Sequence, residues 1–186
     1  MKTNKSLLAS VALGALIFSS CEKDHAHVHN EHEVMTTLTF TLTAEGADTV
    51  ALRFIDLDGE GGNEPTITGG TLKANTTYAG SIEILNESNP EDVEDVTLEI
   101  LEEDEDHQFF FTSTVDGLTL TYTDQDADGK PIGQTNELKT GDAGSGTILV
   151  TLLHEPNKSG ANVSTGDIAN AGGETDIEVT FDVNVE

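Results

Sequence analysis

The stretch DIEVTFDVNV, residues 176–185, decides the fold class of this chain. Every second residue from Ile177 to Val185 is apolar, and the residues between them are polar or acidic. Successive side chains of a β-strand point to opposite faces, so this alternation predicts a strand with one buried face and one acidic face in solvent. Strands that are buried on one face only are typical of antiparallel sheets.

The same alternation recurs along the chain from Met35 onward. It predicts further strands near residues 36–43, 49–55, 78–84, 108–114, 118–122 and 147–153, most of them separated by glycine-rich or aspartate-rich turns. About seven or eight short strands fit an antiparallel, immunoglobulin-like β-sandwich better than an α/β fold. The fold class is therefore predicted to be all-β, with one folded domain over residues 35–186.

One segment departs from this pattern. Asn89-Pro90-Glu91-Asp92 has the N-cap residue, the proline and the early acids that are typical of a helix start. Val96, Leu98 and Ile100, however, alternate as in a strand, and Asn89-Pro90 is also compatible with a simple turn. We expect a short helix within residues 96–107.

The charge balance excludes one class of partner. The chain has 186 residues, with 35 Asp and Glu against 8 Lys and Arg, and 35% of its residues are hydrophobic. Without Lys2 and Lys5, which belong to the leader described next, the net charge is 6 − 35 = −29. So negative a surface repels nucleic acid and attracts cations within about one Debye length, roughly 8 Å at physiological salt. A nucleic-acid partner is excluded, and solubility alone is the alternative explanation of the acidity.

Residues 1–20 are predicted to be an export signal. Lys2 and Lys5 precede a weakly polar to apolar run over 7–18, and this run of about twelve residues is too short to span a bilayer. The following Phe18-Ser19-Ser20-Cys21 resembles the lipobox of bacterial lipoproteins, which are cleaved before the cysteine and acylated on it. The resemblance implies that Cys21, the one cysteine of the chain, carries the lipid. A soluble secreted protein is the alternative.

The residues after the cysteine predict a location and a tether. Glu22-Lys23-Asp24 resembles the acidic export tag of Bacteroidota surface lipoproteins, which implies an outer-membrane lipoprotein that is surface-exposed or periplasm-facing. Residues 21–34 contain few apolar side chains, so we expect a flexible spacer between the membrane and the domain.

The tether holds four of the six histidines of the chain, which are His25, His27, His29 and His32. Neutral imidazoles bind zinc, copper and nickel, and four of them with nearby carboxylates can complete a tetrahedral shell. The tether is therefore predicted to bind metal, with moderate affinity because it must become ordered on binding. A solvated spacer without metal is the alternative.

A second candidate metal site lies in the domain, where His107 and His154 are the two remaining histidines. If the helix continued toward His107, Glu99, Glu103 and His107 would share one face at positions i, i+4 and i+8. His154, at the end of a predicted core strand, could add a ligand from across the sandwich. Glu103, His107 and His154 are therefore predicted zinc ligands, although a histidine at a strand end is more often a surface residue.

The loop Asp124-Gln125-Asp126-Ala127-Asp128-Gly129 has the spacing of a calcium-binding loop. Asp124, Asp126 and Asp128 occupy positions one, three and five, and Gly129 occupies position six. Position twelve is Thr135 instead of an acid. These residues predict weak calcium binding, and an ordinary hairpin loop is the alternative.

Several segments carry a resemblance to known proteins. Leu72-Lys73-Ala74-Asn75-Thr76-Thr77-Tyr78 resembles the tyrosine corner of immunoglobulin-like and fibronectin type III domains, in which a Tyr hydroxyl bonds the backbone a few residues upstream. This segment, His107–Phe110, 153–158 and 172–179 resemble short Bacteroidota lipoproteins of outer-membrane uptake systems. Such proteins are sometimes labelled type 1 periplasmic-binding-fold relatives, but that two-lobed α/β fold does not fit this strand-rich pattern.

The resemblance implies an accessory role beside a TonB-dependent receptor. Together with the histidines it predicts a lipid-anchored envelope protein that binds divalent metal, zinc in particular, as an accessory to outer-membrane uptake. The sequence contains no G-x-S-x-G, no H-E-x-x-H and no phosphate-binding glycine loop, so no enzymatic activity is predicted. The alternative function is a structural or adhesive surface module whose acidic loops are stabilised by calcium.

Overall fold

A computed structural model of the chain describes residues 34–186, apart from residue 60. The predicted signal peptide, the predicted lipidation site Cys21 and the tether histidines His25, His27, His29 and His32 lie outside the described residues. Within the described residues, no helix is both long enough and apolar enough to cross a membrane.

The described chain consists mainly of short strands. They are β1 (Thr37–Thr43), β2 (Val50–Ile55), β3 (Thr66–Thr68), β4 (Gly70–Leu72), β5 (Thr77–Asn86), β6 (Glu94–Asp95), β7 (His107–Ser113), β8 (Thr119–Tyr122), β9 (Thr135–Lys139), β10 (Gly144–His154) and β11 (Glu174–Val185). The α-helix α1 spans Val96–Glu102, and two 3-10 turns span Val163–Thr165 and Ile168–Asn170.

The strands form two sheets. The first sheet has the order β3-β2-β1-β5-β9-β8, with β6 paired to β5, and the second has the order β4-β11-β10-β7. All pairings are antiparallel except that of β4 with β11. The predicted all-β antiparallel sandwich with one short helix is confirmed.

The two sheets share one hydrophobic core. The alternating residues of β11 face this core as the sequence predicts, with Ile177, Val179, Phe181 and Val183 buried beneath the exposed acids of the opposite face. Phe40 of the first sheet and Phe111 of the second sheet meet with their ring centroids 5.7 Å apart. Burial of these apolar side chains provides the main favourable free energy of folding.

The segment from β3 to β4 passes from the first sheet to the second at Gly69. A Cβ atom at this position would collide with the backbone oxygen of Asp182 on β11. The absence of a side chain therefore allows the chain to cross between the sheets and to place β4 beside β11.

The tyrosine corner predicted at residues 72–78 is confirmed. The backbone N–H of Lys73 donates a hydrogen bond of 2.8 Å to the hydroxyl oxygen of Tyr78, which is buried at the start of β5. This bond connects the end of β4 to β5 and so helps to fix the connection between the two sheets.

The short helix predicted within residues 96–107 is also confirmed, as α1. α1 begins after Asp95, whose side chain accepts a hydrogen bond of 3.1 Å from the N–H of Thr97. Asn89-Pro90 lies in a turn closed by a 3.0 Å bond from the N–H of Asp92 to the carbonyl of Asn89.

Candidate metal centre

His107 and His154 are cross-strand neighbours. His107 is the first residue of β7, His154 is the last residue of β10, and the two are direct register partners in the second sheet. Side chains at such positions on adjacent strands lie about 5 Å apart at their Cβ atoms. The two imidazole rings stack, with centroids 4.8 Å apart and planes inclined by 6°.

Glu103 reaches the same place from the end of the helix. It follows α1 as the C-cap, and its carbonyl oxygen accepts a bond of 2.9 Å from the N–H of Asp106. The chain turns there and enters β7, so that Glu103 and His107 stand at the two ends of one tight turn. One ligand atom from each of Glu103, His107 and His154 lies within 4.8 Å of the others. The structure thus brings together the three residues that the sequence predicted as ligands.

The route by which Glu103 and His107 meet differs from the sequence-based prediction. We expected Glu99, Glu103 and His107 on one face of a longer helix, and this was wrong because α1 ends at Glu102. The N–H of Glu103 makes the last helical bond, to the carbonyl of Glu99, before the chain turns to pair with β10. Glu99 is not part of the cluster that the described residues form.

The cluster is closed on one side and open on the other. His107 is only 3% exposed, whereas His154 is half-buried and Glu103 is exposed. His107 Nδ1 lies 3.1 Å from the backbone oxygen of Glu103. Two imidazoles and one carboxylate are the donor types that zinc prefers, and a backbone carbonyl on the other ring nitrogen is a common support for a histidine ligand.

Sequence reasoning missed Asp176, which borders the cluster from β11. One of its carboxylate oxygens lies 3.8 Å from His107 Nε2, and its side chain is 9% exposed. Asp176 belongs to the alternating acids of the stretch that predicted the fold, and nothing in that pattern distinguishes it from the others. A signal becomes visible only in the pairing of β10 with β11, where the register shifts between Leu152 and Leu153.

The Asp-rich loop uses its carboxylates internally. The two oxygens of Asp124 accept hydrogen bonds from the backbone N–H groups of Gly133 and Thr135, at 2.7 and 2.6 Å. One oxygen of Asp126 accepts bonds from the N–H groups of Asp128 and Lys130, at 3.0 and 2.8 Å. Asp128 itself is exposed. The calcium interpretation of this loop stays a prediction.

A lysine provides the positive charge next to this loop. Lys158 Nζ lies 2.9 Å from the second oxygen of Asp126, and the two residues are 7% and 5% exposed. Burial raises the pKa of Asp126, but the hydrogen bonds from Lys158 and from the backbone of Lys130 and Asp128 outweigh it, so this pKa lies below its ordinary value. The same ammonium group donates to the backbone oxygen of Asp104, beside Glu103. Lys158 therefore connects the loop to the turn of the candidate metal centre.

No protein-family model, curated protein or solved structure matches this chain. The likeness to Bacteroidota lipoproteins stays a prediction.

Proposed function

We propose that this chain is a non-enzymatic, lipid-anchored envelope protein that binds a divalent metal ion, zinc in particular, as an accessory to an outer-membrane uptake system. The observation that carries the proposal is the convergence of Glu103, His107 and His154 at one end of the second sheet. Their ligand atoms lie within 4.8 Å of one another, and rotation of the half-buried His154 and the exposed Glu103 side chains can bring them to the distances of a coordinated ion.

The chemistry of these donors favours zinc. Imidazole nitrogen and carboxylate oxygen suit a borderline ion, whereas calcium and magnesium prefer oxygen alone and copper(I) prefers sulfur. Zinc also accepts the tetrahedral arrangement that a turn and two neighbouring strands can provide. A cluster that is open on one side is suited to loading and releasing an ion.

The remainder of the sequence supports cation capture near a membrane. The net charge of −27 draws cations toward the protein, and the histidines at residues 25–32 supply further donors beside the proposed lipid anchor at Cys21. We propose that the domain cluster and the tether histidines are separate metal-binding elements, and that a TonB-dependent receptor is the partner that uses the metal.

Calorimetric titration of the full chain in detergent tests the proposal. We expect the parent chain to bind zinc. We expect zinc binding at Glu103, His107 and His154 to persist when the tether histidines His25, His27, His29 and His32 are replaced by alanine. His107→Ala and His154→Ala in that background should abolish it. Glu103→Gln should weaken it, whereas Glu102→Gln, a neighbouring exposed acid, serves as the matched control and should leave it unchanged.

The same titration gives the result that would refute the proposal. If the parent chain binds no zinc, the metal-binding function is wrong. If replacing both domain histidines and all four tether histidines leaves zinc binding unchanged, the assignment of the metal to these residues is wrong. The proposed anchor is tested separately by Cys21→Ser, which should move the protein out of the membrane fraction. Cells that lack the protein should accumulate less zinc under zinc limitation.

A further inference from the structure

We infer that Asp176 is the fourth protein ligand of this metal centre, so that two imidazoles and two carboxylates hold the ion. The inference rests on the proposed metal-binding function and adds to it the one ligand that the sequence did not indicate. Asp176 lies on β11, and its carboxylate faces His107 across 3.8 Å.

The hydrogen bonding of His107 determines which of its nitrogens can bind a metal. Nδ1 lies 3.1 Å from the backbone oxygen of Glu103, and a carbonyl oxygen can only accept, so Nδ1 carries the proton. In the neutral imidazole the lone pair is then on Nε2. This is the nitrogen that faces Asp176.

Two electron-pair donors therefore face each other in a nearly closed place. The side chains of His107 and Asp176 are 4% and 9% exposed, so both are largely shielded from water. A lone pair and a carboxylate in this arrangement attract a cation between them. In a tetrahedral zinc site, with bond lengths of about 2.0–2.1 Å, ligand atoms are roughly 3.3 Å apart. The observed 3.8 Å needs only a small closing movement to reach this separation.

A β-bulge explains why this particular acid points at the cluster. Leu152 pairs with Ile177, but the next residue, Leu153, pairs with Thr175, so Asp176 is the extra residue on β11. A bulge rotates a side chain away from the direction that simple alternation would give it. Glu178 and Asp182, which follow the ordinary alternation on the same strand, are exposed.

The stacked rings assign different roles to the two histidines. The lone pair of an imidazole nitrogen lies in the plane of its ring, so two parallel rings cannot direct lone pairs at a single ion. His107 is held by its bond to Glu103 and by burial, whereas His154 is half-buried and can rotate. His107 and Asp176 thus form the fixed half of the site, and His154 and Glu103 close onto the ion.

Titration of the full chain with its four tether histidines replaced by alanine isolates this site. Asp176→Asn, which keeps the shape and removes the charge, should lower the affinity for Zn²⁺ by at least about tenfold. Asp182→Asn makes the same chemical change on the same strand, six residues farther along, and should leave the affinity unchanged. Thermal unfolding without metal checks that both variants remain folded.

Cobalt distinguishes a ligand from a residue that only positions His107. In Asp176→Cys a thiolate takes the place of the carboxylate, and Co²⁺ bound to it should show a sulfur-to-cobalt charge-transfer band in the near ultraviolet. The parent chain and Asp182→Cys should not show this band. Contact with the metal produces the band, whereas an indirect role of residue 176 does not.

The outcomes separate this inference from the function on which it rests. If the chain without its tether histidines binds Zn²⁺ and Asp176→Asn in that background binds it equally well, or if Asp176→Cys shows no charge-transfer band, Asp176 is not a ligand and the three-residue site remains. If the chain with its four tether histidines replaced by alanine binds neither Zn²⁺ nor Co²⁺, the domain site is wrong, and the assignment of Asp176 is wrong with it.

Discussion

At the scale of single residues, the buried ion pair of Lys158 and Asp126 has the largest expected effect on stability. Lys158→Met removes the ammonium and leaves a buried carboxylate without its counter-charge. We expect the free energy of unfolding to fall by about 3–5 kcal/mol, measured by urea denaturation.

Lys139→Met provides the matched control for that prediction. Lys139 Nζ lies 2.8 Å from a Glu137 carboxylate, a similar distance, but the side chains are 57% and 42% exposed. Lys139→Met should lower the free energy of unfolding by at most about 1 kcal/mol. Similar losses in the two lysine variants would contradict the importance that we give to burial. Adding Asp126→Asn to Lys158→Met should recover part of the loss, since it removes the isolated charge.

Asp126 also predicts a dependence of stability on pH. Its pKa in the folded protein is below the ordinary value of 3.8, so the folded state favours the charged form. The contribution of the charged Asp126 to the free energy of unfolding is fully present above roughly pH 5, and it is lost as the pH falls through the pKa of the folded state. In urea denaturation, the free energy of unfolding should therefore fall less between about pH 6 and pH 2 for Asp126→Asn than for the parent. If the free energy of unfolding fell equally in the two proteins, Asp126 would not be the origin of the acid sensitivity. Asp182→Asn, at an exposed acid, is the control and should behave like the parent.

At the scale of elements, Thr97 attaches the helix to the first sheet. Its hydroxyl accepts a 2.8 Å bond from the N–H of Ile84 and donates a 3.2 Å bond to the carbonyl of the same residue. Thr97→Val keeps the shape and leaves a buried N–H without this partner, which should destabilise the fold by about 1–3 kcal/mol.

Thr97→Val should also weaken zinc binding, because α1 positions Glu103. Thr119→Val, on the exposed face of β8, is the control and should change neither the unfolding free energy nor the zinc affinity. If Thr97→Val destabilised the protein without changing the zinc affinity, the helix would not be needed to position the ligands.

The Asp-rich loop leads to a prediction about calcium. Because Lys158 already supplies the positive charge beside Asp126, we expect millimolar Ca²⁺ to raise the melting temperature no more than the same concentration of Mg²⁺ does. A distinctly larger rise with Ca²⁺, lost in Asp128→Ala, would instead favour the calcium-stabilised surface module.

Sequence periodicity predicted the longest strands and missed several of the shorter ones. β11 and β1 were predicted because their apolar residues alternate over many positions. β3 and β6 were missed because three and two residues cannot establish a period. β9 was missed because a buried Asn136 stands where the pattern would need an apolar side chain.

The candidate site could be predicted only in part, for a related reason. Glu103, His107 and His154 were selected by residue type, and their approach depends on a helix end and on a strand register. Neither is fixed by local sequence, because long-range pairing decides where a helix stops and which residues face each other. Asp176 lay beyond prediction because a bulge cannot be read from alternation.

At the scale of the whole molecule, the excess of acidic residues should make stability depend on salt. With a net charge of −27, like charges repel in the folded protein, and they are screened when the Debye length falls from about 30 Å at 0.01 M to about 8 Å at 0.15 M. We expect the melting temperature to rise by several degrees over this range in NaCl, measured by calorimetry. An unchanged or lower melting temperature would show that the charges are already balanced by local pairing.

The position of β11 has a consequence for the order in which the protein is made. This strand lies between β4 and β10, and its partner β4 was synthesised more than a hundred residues earlier. The second sheet cannot close until the ribosome has added the residues up to Val185. Such long-range pairing is slow to form, so the second sheet is expected to be the last part of the fold to form.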